Sequence, residues 1–160
     1  MDFKKLKIVT HQAEKPEKLR AKRKGNIIHK LLALYTPKEN LELIFKKALL
    51  TLGEKPQEWR EEELLEPVRK VLEREEIKRW FEKEALPELE LVNQEGRLHR
   101  VDRLFVDQQE VWVIEFKVGE KRPEHLEQVK EYIRLLRDIF PDKHIRGALL
   151  YVESGELTLI

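Results

Sequence analysis

Cysteine is absent from the 160 residues. That excludes a disulfide framework, a thiolate zinc site and a thiol nucleophile. Glycine is scarce, at six residues, and no GxxxxGK[ST] run occurs, so these residues carry no P-loop motor. No stretch of about 18 apolar residues exists, which excludes a membrane-spanning helix. The start, MDFKKLKIVTHQ, is too charged for a signal peptide, and a cytoplasmic location is expected. There is no internal repeat and no low-complexity segment. A large single-sign charge is also missing: the formal net charge is +1.

What is present belongs to a folded domain. Apolar residues reach 41% and there are three Trp, too many for a disordered chain. The length suits one domain with a sizeable core. Charge is unevenly spread. Residues 1–30 hold ten Lys/Arg against three acids, and residues 54–90 hold thirteen Glu against eight Lys/Arg. A basic start beside an acidic middle fits a polyanion that meets one side only. The plain alternative is a solvated basic tail.

The informative stretch is Arg100 to Lys117, RVDRLFVDQQEVWVIEFK. Leu98–Asp107 and Glu110–Val118 are rich in β-branched and aromatic residues and read as two strands around Gln108-Gln109. With a two-residue turn, Asp107 pairs with Glu110, Asp102 falls opposite Glu115 and Arg100 opposite Lys117. Alternation puts Asp102, Leu104, Val106, Val111, Val113, Glu115 and Lys117 on one face. Val101, Arg103, Phe105, Trp112, Ile114 and Phe116 take the other. Both faces are apolar enough to be covered. Two opposed carboxylates, with Cβ atoms about 4.5–5.5 Å apart, repel unless a proton or a cation joins them. Two carboxylates, water and a backbone carbonyl suit Mg²⁺ or Mn²⁺. The plain alternative is a buried Asp–Lys–Glu ion cluster with no chemistry.

Asp102 followed by Glu115-Phe116-Lys117 resembles the PD-(D/E)xK nuclease core. His29 in GNIIHKLLALY, Glu90 before the hairpin, and Gln128 with Tyr132 in HLEQVKEYIRLL narrow the resemblance to the RecB-like branch. That branch supplies the C-terminal nuclease domain of UvrD- and AddA-type helicases. The resemblance runs from about Gly25 to the C-terminus. Val101 stands where the motif has proline, at a position that varies in the superfamily.

The resemblance implies an α/β (α+β) fold, a restriction-endonuclease-like mixed sheet flanked by helices with an N-terminal helical region. It implies a metal-dependent deoxyribonuclease acting on single-stranded DNA in recombination or repair, with a helicase as partner in cis or in trans and no membrane. The catalytic set is Lys117, Asp102, Glu115, Glu90, Gln128 and Tyr132. The Mg²⁺ or Mn²⁺ ligands are Asp102, Glu115, His29 and the Phe116 carbonyl. The rival reading is a catalytically silent nuclease-fold module that binds DNA or docks on a helicase.

The remaining chain divides into a basic segment or linker, 1–24, and one domain, 25–160, helical over 25–86 and sheet-forming over 87–160. Apolar spacing predicts helices over Gly25–Tyr35 and Pro37–Leu52, and one or two more over Pro56–Glu84, with a new helix or a kink at Pro67. Pro87–Asn93 reads as the first core strand, with Gln94–Gly96 as a turn. Pro123 opens a helix to about Phe140, on which His125, Gln128 and Tyr132 share a stripe. Ile145–Val152 is a strand returning parallel to the Lys117 strand, and Leu157–Ile160 is the last.

Overall fold

The computed structural model describes residues 15–160. Five strands form one mixed sheet: β1 (Leu86–Val92), β2 (Leu98–Val106), β3 (Glu110–Lys117), β4 (His144–Tyr151) and β5 (Leu157–Leu159). They lie side by side in sequence order. β3 and β4 are parallel, and the other three neighbouring pairs are antiparallel. Four helices precede the sheet: α1 (Pro16–Leu34), α2 (Leu41–Leu52), α3 (Glu61–Leu72) and α4 (Glu75–Glu82). The fifth, α5 (Pro123–Ile139), makes the crossover between the two parallel strands. This is the expected α+β architecture, with the mixed sheet covered on both faces. Among the described residues no helix is long and apolar enough to cross a membrane.

Two apolar clusters hold the layers. Ile27, Leu31, Ile44, Leu65 and Trp80 from α1–α4 pack on Ile114, Phe116 and Leu150 of the sheet. Val129, Tyr132 and Leu136 of α5 pack on Leu104, Val113 and Leu149. The hairpin faces separate as the alternation requires, except at Val101, which joins the α5-side cluster. Regular pairing of β2 with β3 ends at Arg103–Ile114, so β2 is free to turn there. The closest layer contact is at Gly147. A Cβ there would stand 2.7 Å from Ile133 and 2.8 Å from Val129, so α5 rests directly on the β4 backbone.

Helix boundaries show local chemistry that periodicity misses. α1 starts at Pro16, nine residues before the expected start, and runs through the boundary expected at 24/25. Its first half carries almost no apolar stripe but consists of good helix formers opened by a proline. Its basic groups are used inside the fold. Arg23 meets Glu54 and Glu58, both at 2.6 Å, and the Arg20 guanidinium lies 4.2 Å over the Trp59 ring. The basic start therefore neutralises part of the acidic middle rather than standing wholly free for a polyanion. The apolar run Leu6–Val9 lies outside the described residues. α3 passes through Pro67 without ending; the break falls at Glu73–Arg74. Asn40 caps α2 through two backbone N–H groups, and Gly53 closes it at φ 69°.

The Gln108-Gln109 turn has the expected register: Val106 pairs with Val111, and Phe105 with Trp112. Gln-Gln is a poor two-residue turn by itself. Asp107 compensates. Its carboxylate accepts the N–H groups of Glu110 at 2.7 Å and Gln109 at 2.9 Å, and pairs with Lys83 at 3.1 Å. Those bonds hold its pKa down at about 2. A depressed carboxylate stabilises the fold above its ordinary pKa and loses that effect as pH falls through the folded value. Asp107→Ala should therefore lower the melting temperature at pH 7, and the gap to wild type should close as pH falls from about 4 to 2. Thermal melts of both proteins across that range check this.

Candidate active site

The site forms where β2 parts from β3. Asp102 is the first β2 residue beyond the regular ladder. Its side chain takes over the bonding: Asp102 Oδ2 accepts the Phe116 N–H at 2.8 Å. On its other side, Pro87–Arg103 and Leu89–Val101 pair normally in β1 and β2. Glu88, whose register position faces Asp102, leaves the extended conformation with φ 53°. A non-glycine residue there stores about 1–3 kcal/mol of strain. The Glu88 carboxylate reaches Lys30 of α1, both oxygens at 3.0 Å.

His29 arrives from α1. Its Nδ1 lies 2.8 Å from the Gly25 carbonyl and its Nε2 2.7 Å from the Phe116 carbonyl. Nε2 is also 3.5 Å from Asp102 Oδ2. Carbonyls only accept, so both ring nitrogens donate and the ring is an imidazolium. Burial opposes that charge, but Asp102 and the two carbonyls outweigh it and raise the His29 pKa to about 9. Phe116 is thus held at both backbone groups, its N–H by Asp102 and its carbonyl by His29.

Glu115 points to the α5 side and is 3% exposed. Burial, then the neighbouring Asp102 carboxylate, push its pKa well above the usual range, with Lys117 pulling weakly the other way. Burial also acts against the Asp102 charge, yet His29 and Glu115 as hydrogen-bond donors bring its pKa below the usual value. The pair therefore holds one negative charge and one proton. Glu115 Oε2 is sealed from solvent without a hydrogen-bond partner. Tyr132, buried on α5, donates its hydroxyl to the Arg100 carbonyl at 3.2 Å. Burial, followed by the Glu115 charge, raises the Tyr132 pKa, and Gln128 bonds the same hydroxyl region. Lys117, at the end of β3, has no ion-pair partner among the described residues, and its charge is felt at both Glu115 and His125.

Six of the seven side chains expected at the site come together: His29, Asp102, Glu115, Lys117, Gln128 and Tyr132, along with the Phe116 backbone. Glu90 stands apart on β1, exposed and paired with Arg100 at 3.5 Å. Glu88 and Lys30 are the residues that sequence reasoning passed over. The Asn93 N–H to Arg97 carbonyl bond of the turn accompanies the register that puts Glu88, not Glu90, opposite Asp102, and nothing in the sequence pattern marks it.

A scan against protein-family models matches residues 4–158 to the PD-(D/E)XK nuclease superfamily. The chain belongs to that superfamily. A search of curated proteins returned no match. Nucleases of the PD-(D/E)xK type generally use divalent metals. Among the described residues no three His, Asp or Glu side chains are arranged as a ready cation cage. The donor set nonetheless fits a hard cation: two carboxylates, one of them with an unpartnered buried oxygen, beside a backbone carbonyl.

A raised carboxyl pKa stabilises the fold below the unfolded value and loses that effect as pH rises through the folded one. Glu115→Gln removes this liability and gives Asp102 a permanent donor. In chelator, the variant should therefore gain stability over wild type progressively as pH rises above the ordinary carboxylate range. Urea unfolding at several pH values measures it.

Proposed function

We propose that the protein is a divalent-metal-dependent deoxyribonuclease that hydrolyses phosphodiester bonds in single-stranded DNA. In this reading it is the nuclease module of a UvrD/AddA-type helicase-nuclease working in recombination or repair. The observation that carries the catalytic part is the convergence of His29, Asp102, Glu115 and the Phe116 backbone, with Lys117 unpaired beside them. The RecB-like branch is supported by His29, Gln128 and Tyr132 lying at this same site.

Asp102, Glu115, the Phe116 carbonyl and His29 as neutral imidazole would hold Mg²⁺ or Mn²⁺. Such an ion supplies Lewis-acid polarisation of the phosphate and a more acidic water. The residues provide the rest. Lys117 brings an ammonium that stabilises charge growing on the phosphate oxygens and orients the attacking water. Tyr132 and Gln128 hold Glu115 against α5, which sets the direction of its carboxylate. Glu90 remains on the flank of the site, two residues along β1 from Glu88. The Lys30–Glu88 pair ties α1 to β1 alongside the site.

Asp102→Ala and Lys117→Ala should each lower cleavage of labelled single-stranded DNA by at least about 10²–10³-fold while the melting curve persists. The assay compares Mg²⁺, Mn²⁺ and chelator. Cutting retained by either variant would reject the assignment. Tight, metal-independent DNA binding without cutting by wild type would favour the silent binding or docking module instead.

A further inference from the structure

Arg103 follows Asp102 on β2, but its side chain enters the opposite layer, beneath the C-terminal ends of α1 and α4. It is 6% exposed. Its Nε donates to the Trp80 carbonyl at 3.2 Å, and its guanidinium carbon lies 4.3 Å over the Phe81 ring. No carboxylate pairs with it among the described residues. Burial alone displaces its pKa, down to about 10.

A buried guanidinium without a counter-ion is costly, and an apolar side chain of similar volume commonly serves stability as well or better. A guanidinium has five N–H donors in a flat fork, and Trp80 takes one. The sealed, unpartnered side-chain atoms among the described residues are His99 Nε2 and Glu115 Oε2. The remaining Arg103 donors therefore reach the open cleft that this residue lines. That cleft measures about 440 Å³, and Tyr35, Lys38, Phe81 and Lys83 also line it. Glu82 and Glu84 line it as well. Lys83 is shared with Asp107 at 3.1 Å, whereas the Lys38 ammonium has no partner among the described residues. Three cations, Arg103, Lys38 and Lys83, thus face two carboxylates in the cleft, and the flat fork of Arg103 donors is the group suited to a tetrahedral oxyanion.

We propose that the Arg103 cleft binds a phosphate group. Arg103 grips two oxygens, Lys38 and Lys83 add charge, and Tyr35 and Phe81 wall the site. The phosphate has two possible sources of the same chemistry. One is the backbone of a nucleic-acid strand held at Asp102, since α1 leads from His29 to Tyr35, about 9 Å along its axis. The other is a free 5′-mononucleotide. The first source rests on the nuclease reading, and the second does not.

Binding is read in chelator, so the result does not depend on cleavage. Inorganic phosphate, a 5′-mononucleotide and an oligonucleotide lacking terminal phosphate are titrated into wild type, Arg103→Met, Lys38→Ala and Lys70→Ala by calorimetry and thermal shift. Arg103→Met should melt at or above the wild-type temperature in phosphate-free buffer yet lose at least about tenfold in affinity for phosphate or the mononucleotide. Lys38→Ala should lose a few-fold, and Lys70→Ala, on the exposed side of α3, should keep the response. A parallel loss for the oligonucleotide in Arg103→Met identifies the strand as the source; an unchanged oligonucleotide affinity identifies the free monoester. If Arg103→Met does not fold, Arg103→Lys, which keeps the charge and loses the fork, takes its place with the same expected loss. No binding of any probe by wild type, or undiminished binding by the Arg103 variant, overturns the proposal.

Discussion

The Phe116 N–H donates to Asp102 Oδ2 instead of to a main-chain carbonyl of β2, and the site is built around that substitution. A regular ladder would leave the Asp102 carboxylate free to turn to solvent. Here it is drawn between two strands that diverge. The divergence carries Val101 into the α5-side core, leaves Glu88 out of regular extended backbone, and exposes the Phe116 carbonyl to His29. Main-chain polar groups must be satisfied somewhere. In this protein two of them are satisfied by the side chains that define the site.

The arrangement works against stability in several places. Glu115 is buried with an unpartnered oxygen, Glu88 is strained, and Arg103 is a buried cation without an acid. Features of this kind persist where the surroundings over-determine them and function needs them. The surroundings are strong: α5 rests on Gly147 without room for a Cβ, and the Phe116 ring is buried among α1–α4 residues. His29 meanwhile places a positive charge between Asp102 and the Phe116 carbonyl, balancing the site electrostatically through the chain's own groups.

Much of the sheet was legible because its residues repeat at the strand period. The hairpin register, the separation of faces and the parallel return of β4 follow from alternation and from a helix-length crossover. The meeting of Asp102 with Glu115 follows from that register, whereas His29, Gln128 and Tyr132 were singled out by the family resemblance and not by their spacing. Interactions that leave no periodic trace were not legible. α1 begins early because Arg20 and Arg23 find Trp59, Glu54 and Glu58 far along the chain. Pro67 is absorbed because α3 packs on its neighbours through Leu64, Leu65, Val68 and Val71. Alternation places Glu88 and Glu90 on one face, and Glu90 was preferred for its match to the family's acidic position; the departure of Glu88 from extended backbone leaves no trace in the sequence.

In the proposed function the Asp102–Glu115 pair holds the cation, and without it the pair is half-neutralised by a shared proton. Mn²⁺ binding to wild type, Asp102→Asn and Glu115→Gln, followed by calorimetry in the absence of nucleic acid, tests it most directly. Loss of a residue behind a metal ligand typically costs about 10–100-fold in affinity, so loss of a ligand should cost at least that. Wild type should bind Mn²⁺ measurably, and both variants should show a fall of this size. Equal Mn²⁺ affinity in wild type and Glu115→Gln would contradict it.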